Sequence, residues 1–245
     1  MCKMKTKSLQ TVAAEILTNR FFIVETIILT SFIIILFGGI GFIFGLIISL
    51  LTLWLTKWNW AYFGLGKVNP LRAIKLAILY TLIIILINDI ILSPLIERYL
   101  DSDIDLNAFD SLRGNTKNLL VSLLLVWTLI AIGEEFFFRG YLMNRMTHLL
   151  SSIKYPWLVS AILSSIVFGL AHSYQGISGI ISTGIIGFIL AISFFKNQQN
   201  LLVNILCHGI YDTYGLIMIY LGKDQFMQLF ETGQAIVHFR TFINF

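Results

Sequence analysis

Charge is scarce in this sequence. Asp, Glu, Lys and Arg make up 12% of its 245 residues, about half the roughly 25% of a soluble domain. Hydrophobic residues make up 57%, and the mean hydropathy is +0.84. That balance excludes a water-exposed surface over most of the chain and makes lipid its solvent. Proline is scarcer still. Pro70, Pro94 and Pro156 are the only three, and each lies at or near the end of an apolar segment. Such placement suits spanning helices, whereas barrel strands would alternate in polarity. The two cysteines are Cys2 and Cys207. Cys207 sits within an apolar run, which argues against a structural disulfide. The first twenty residues hold Lys3, Lys5, Lys7 and Arg20 but no apolar run followed by a small-residue cleavage site, so no removable signal peptide is expected. The net charge of +4 is explained by loop charges that orient membrane proteins, and no nucleic-acid partner is expected.

A spanning helix needs about 20 largely apolar residues. No residue from Thr26 to Thr56 is charged, which is too long for one upright span. Gly38, Gly39 and Gly41 offer a tight turn inside it. Two helices are therefore expected, over 21–38 and 41–57, and a third over 71–96 led in by Pro70. A polar loop follows at 97–117. Further helices are expected at 118–148, 156–172, 177–195 and 200–221. The fold class is an all-α polytopic bundle of about seven spans. It divides into an N-terminal membrane region with the polar loop (1–117), a four-helix core (118–222) and a tail (223–245) that could lie at the interface. Lysines and arginines cluster in the N-terminal segment, in 57–75, and at Arg145, Lys154 and Lys196. With seven helices these fall on one side, the cytoplasmic one by the positive-inside rule, with the N-terminus there. Gly41 and Gly45 form a GxxxG pattern of the kind that marks close helix packing.

Six ionisable residues lie inside or close to the helices of the core: Glu134, Glu135, Arg139, His172, His208 and Asp212. An Asp, Lys or Arg at mid-bilayer costs at least ~2.5 kcal/mol, so these groups should meet one another. Glu135 and Arg139 are four apart, as are His208 and Asp212, so each pair shares a helix face. A hairpin turning near residue 153 brings Glu134 and His172 to similar height, while His208 requires some tilt or unwinding. Glu134 and Glu135 differ by about 100° around a helix, which assigns Glu135 to a brace with Arg139 and leaves Glu134 to aim inward. Gly133 and Gly209 would allow a close approach beside Glu134 and His208. Asp89 reads as a helix-end or packing residue, and Tyr211 and Tyr214 as packing or belt aromatics.

A carboxylate and two imidazoles around a water can hydrolyse an amide in two ways. Glu134 can be a general base, with His172 and His208 assisting and steadying the oxyanion. Alternatively, Glu134, His172 and His208 could hold a zinc ion that makes the nucleophile. In both cases Asp212 would orient His208. Two other classes stay open: a proton-coupled transporter, and a non-catalytic membrane scaffold that confers immunity by binding.

The sequence resembles the CPBP intramembrane proteases, which include CAAX prenyl endopeptidases and bacteriocin-processing and immunity proteins of the Abi type. Glu134-Glu135-Phe136-Phe137-Phe138-Arg139 matches an EExxxR motif, Phe168-Gly169-Leu170-Ala171-His172 an FxxxH motif, and His208-Gly209-Ile210-Tyr211-Asp212 an HxxxN/D motif. The resemblance spans about 118–218. It implies a membrane-embedded peptidase in which Glu134 activates water beside His172, with His208 and position 212 completing the site. Glu135, Arg139 and Phe168 would support it. The expected partners are the bilayer and a peptide or protein substrate in or at the membrane. Position 212 is Asp where the prenyl-protease branch has Asn. An ionised Asp cannot donate to an oxyanion, which favours an orienting role there.

Overall fold

The structure, a computed structural model, describes residues 19–66 and 68–222. The tail expected at the interface and the lysines before Asn19 lie outside the described residues. Helices dominate: α1 Arg20–Phe37, α2 Gly39–Leu55, α3 Pro70–Leu100, α4 Thr116–Leu149, α5 Pro156–Ala171, α6 Gly176–Lys196 and α7 Leu201–Tyr220. Among the described residues, α1, α3, α4, α7 and the segment Ser173–Lys196 are long and apolar enough to cross a membrane, and two shorter apolar helices, Gly41–Leu55 and Pro156–Ala171, accompany them. The chain is thus an all-α, multi-pass membrane protein.

The helices begin where local chemistry says they should. Asn19, Asn69, Asn115 and Asn200 each turn a side-chain oxygen onto a free backbone N–H of the first turn, a cap worth about 1 kcal/mol. Pro70 and Pro156 occupy first-turn positions where no N–H is needed. Gly38, at φ +53°, makes the turn between α1 and α2. A side chain there would be strained. The loop after α3 starts later than expected. Glu97 and Arg98 are still helical, and Asp101 closes the helix in the left-handed region.

Close approaches pin the bundle. A Cβ on Gly41 would strike the backbone of Ile34, and one on Gly45 would lie 2.7 Å from the Phe137 ring. The GxxxG pair is therefore a packing device, against α1 on one turn and α4 on the next. A Cβ on Gly169 would strike the Ile180 carbonyl, so α5 and α6 meet backbone to backbone. Gly133 faces Phe42, and Gly209 faces Trp127. These two glycines thus admit aromatic side chains of neighbouring helices. The core around α4 is aromatic: Phe136, Phe137, Phe138 and Tyr141 are buried with Phe63, Phe168 and Phe194. Large apolar side chains such as Ile28, Leu82, Leu124 and Ile166 point outward and stay exposed, as lipid contact requires.

Two of the long helices are not regular. α3 widens to π-type turns over Ile85–Leu92, and α4 over Val126–Ile130 and Phe136–Met143. Such widenings recur at functional sites. Here they flank Glu134 and Glu135 on α4 and contain Asn88 and Asp89 on α3.

Candidate active site

Glu135 is the hub. Its side chain is fully buried, so each of its oxygens must find a donor or cost several kcal/mol. Oε1 accepts from Arg139 Nη1 at 2.7 Å and from His208 Nδ1 at 2.9 Å. Oε2 accepts from Asn204 Nδ2 at 3.1 Å. Arg139 is equally buried. It donates to the Gly187 carbonyl at 2.8 Å, and its guanidinium lies 4.7 Å from the Phe168 ring centre, a cation–π distance. The brace between Glu135 and Arg139 is therefore there, and it joins α4 to α6 and α7 as well.

The expected division between the two glutamates takes a different form. Both approach His208, on opposite ring nitrogens. Glu135 holds Nδ1, while Glu134 Oε2 stands 3.8 Å from Nε2. Asp212, one turn after His208, is also near Nε2, at 3.5 Å. The bond that orients the His208 ring is thus made by Glu135, and Asp212 lies on the open side of the ring with Glu134. The spacing within α7 puts Asp212 beside His208 but cannot say which nitrogen it meets, because that depends on where α4 crosses.

His172 sits at the C-terminal cap of α5. Its Nδ1 is 2.8 Å from the Phe168 carbonyl. A carbonyl only accepts, so Nδ1 carries a proton, and in its neutral form the ring presents a lone pair at Nε2. Phe168 lies against both imidazoles, with ring centres 4.9 Å from His172 and 6.0 Å from His208. The same ring also covers Arg139.

Glu134, Phe168, His172, His208 and Asp212 line one cavity of about 1020 Å³. Glu134 Oε2 is buried, and no group among the described residues donates to it. A buried carboxylate oxygen without a donor is costly, and this one lies 3.8 Å from His208 Nε2, in a residue that lines the cavity.

Both histidines offer the ring nitrogen that zinc prefers, with the other nitrogen held by an acceptor. However, no three His, Cys, Asp or Glu side chains among the described residues gather closely enough to hold a metal ion. The arrangement does not fit a bound zinc as it stands, and no step below is routed through one.

Sequence reasoning misses Asn204, which completes the shell of Glu135, and the pairing of Asp89 with Tyr211. Asp89 lies within α3, buried, and accepts from the Tyr211 hydroxyl at 2.7 Å. An Asn in one helix and a Glu in another carry no sequence signal of pairing.

These features define an α-helical membrane protein with a carboxylate–imidazole cluster enclosed between four helices. Residues 116–214 match a family model described as Type II CAAX prenyl endopeptidase Rce1-like. That segment, roughly two fifths of the chain, contains all three motifs, and its match to this family model is consistent with the CPBP resemblance. No curated protein and no solved structure matches the chain.

Proposed function

We propose that the protein is an intramembrane peptidase that hydrolyses peptide bonds of membrane-associated or lipidated peptides. The observation that carries this reading is the Glu134 carboxylate oxygen, buried with no donor among the described residues and 3.8 Å from His208 Nε2, in a residue that lines a cavity large enough for a peptide.

In this mechanism a water lies between Glu134 and His172 Nε2. Glu134 takes one of its protons as the oxygen attacks the scissile carbonyl carbon. The carbonyl π electrons move onto oxygen and make a tetrahedral oxyanion. His208, with a proton on each ring nitrogen, donates through Nδ1 to Glu135 and through Nε2 to the oxyanion. The proton held on Glu134 then passes to the leaving amine as the carbon–nitrogen bond breaks, which regenerates the carboxylate. Arg139 and Asn204 keep Glu135 fixed, and Glu135 keeps the His208 ring in line. Asp212 stands on the open side of the ring, 3.5 Å from His208 Nε2.

Glu134→Gln keeps shape and removes the base. The expected result is a loss of at least about 100-fold in turnover of a membrane-anchored fluorogenic peptide, with an unchanged elution profile in detergent. Turnover equal to the parent in a folded variant would overturn the base assignment. Chelator treatment and metal analysis of the same preparation should leave activity intact with less than stoichiometric metal. Stoichiometric zinc that disappears in the His172→Ala protein would replace this mechanism with a zinc-dependent one.

A further inference from the structure

The wall of the cavity carries a second polar group that the proposed reaction does not use. It lies on α3, in the widened segment Ile85–Leu92. Asn88 and Asp89 are 1% and 8% exposed. Asp89 Oδ1 accepts two hydrogen bonds, from the Tyr211 hydroxyl at 2.7 Å and from Asn88 Nδ2 at 2.9 Å. Asn88 Nδ2 also donates to Ser182 Oγ at 2.8 Å, and Ser93 Oγ meets the same hydroxyl at 2.9 Å. Three helices, α3, α6 and α7, thus hold this carboxylate in one position.

Its other oxygen is left over. Both bonds to Asp89 end on Oδ1, and neither neighbour that makes them is charged. A carboxylate within a spanning helix is costly unless a cation meets it. Helix packing alone would be served by an amide or a hydroxyl, which Asn88, Ser93 and Ser182 already supply. Asp89 lines the same cavity as Glu134, His172 and His208. Asp103 and Asp105 line it further along, and Arg113, the one Lys or Arg on that lining among the described residues, is paired with Asp110 at 3.1 Å. The cavity therefore presents a negative field to whatever enters it.

We propose that Asp89 is a specificity-determining residue, which receives the charged end of a basic side chain in the peptide substrate. The inference rests on the reading of this cavity as a peptidase site. It adds a substrate class to it: an apolar peptide with one lysine or arginine at a fixed distance from the cleaved bond. Asp89 Oδ2 would accept from the ammonium or guanidinium, and Tyr211 would keep the carboxylate turned toward the cavity.

The test uses the full chain in nanodiscs and acetylated, amidated apolar decapeptides with a neutral dye. One lysine is moved through successive positions, and each peptide is compared with its glutamine counterpart by fluorescence anisotropy. At one position the lysine peptide should bind at least about tenfold tighter, as a charge-assisted hydrogen bond allows. In Asp89→Asn, which keeps the acceptor for Tyr211, that ratio should fall toward one. Ratios near one at every position in the parent, or a preference that survives Asp89→Asn, would overturn the proposal. A merely structural Asp89 would shift both peptides together and leave the ratio in place. Should Asp89→Asn not fold, carbodiimide coupling of the preferred lysine peptide to the parent replaces it. An Asp89 adduct located by mass spectrometry supports the assignment, and adducts only elsewhere, or none, overturn it. Cleavage of the same peptides is scored separately. Lysine preference without cleavage would sink the peptidase reading and leave the cation site standing.

Discussion

Glu135 makes three hydrogen bonds to three different side chains from full burial. Its neighbour Glu134 has a buried oxygen that accepts none among the described residues. The two adjacent carboxylates therefore have different consequences when removed. Glu135→Ala strands Arg139, whose Nε already lacks a partner among the described residues, and frees the His208 ring. Breaking one side of a buried ion pair costs about 3–5 kcal/mol. Folded yield and thermal midpoint in detergent should drop sharply for Glu135→Ala and for Arg139→Ala, and little for Glu134→Ala. Equal losses in all three would count against the split. The i,i+4 spacing makes the Glu135–Arg139 brace legible in the sequence alone. It cannot reveal that Glu135 also holds His208, since that bond joins residues 135 and 208 across two helices. The role of Asp89 is hidden for a related reason. One Asp beside an Asn near a proline reads as a helix end, and only the packing of α7 against α3 supplies Tyr211.

Helix boundaries are set by short-range chemistry, and they are accordingly legible. The expected helices over 156–172 and 200–221 are found as Pro156–Ala171 and Leu201–Tyr220. The widened turns of α3 and α4 are not legible, because apolar periodicity in a lipid-facing helix is too uniform to show where a turn gains a residue. The consequence falls on the site: a strict 100° step between Glu134 and Glu135 argues that they diverge, whereas both reach His208 from a helix whose next segment, Phe136–Met143, is π-type. Elsewhere the packing of elements turns on single glycines. Gly169 is crossed by the Ile180 carbonyl, while Gly215 has nothing among the described residues within 4 Å of a would-be Cβ. Gly169→Ala must push α5 from α6, and with it the Phe168–His172 end that lines the site. It should lower stability by about 1–3 kcal/mol, the usual range for overpacking, and reduce turnover. Gly215→Ala should be neutral or slightly stabilising, since helical Gly costs up to about 1 kcal/mol relative to Ala. Thermal unfolding in detergent compares the two. A Gly169→Ala protein as stable as Gly215→Ala would show that the helices do not meet as described.

At the scale of the whole molecule, the contacts sort the connections to two ends. Arg20 at the start of α1 donates to the Leu149 carbonyl at the end of α4, at 2.9 Å, and Leu201 N donates to the Gly64 carbonyl at 2.9 Å. These bonds gather the α2–α3, α4–α5 and α6–α7 connections with the start of α1. Lys57, Arg72, Lys75, Lys154 and Lys196 lie at or near them. At the other end, Asp105 N donates to the Gln175 carbonyl and Gly114 N to the Tyr220 carbonyl, both at 3.0 Å. That end carries the acidic loop and the His172 turn, so the cavity is walled by the end poor in lysine. The positive-inside rule then predicts an orientation with the site toward the non-cytoplasmic face. Single cysteines at Asp105 and at Lys154, in a Cys2→Ser, Cys207→Ala background, test this with a membrane-impermeant maleimide. Position 105 should label in intact cells, and position 154 only after permeabilisation. One side for both would break the single crossing of α4. A reversed pattern would keep the fold and turn the site to the cytoplasm, where a basic peptide would have to reach Asp89 from the opposite face.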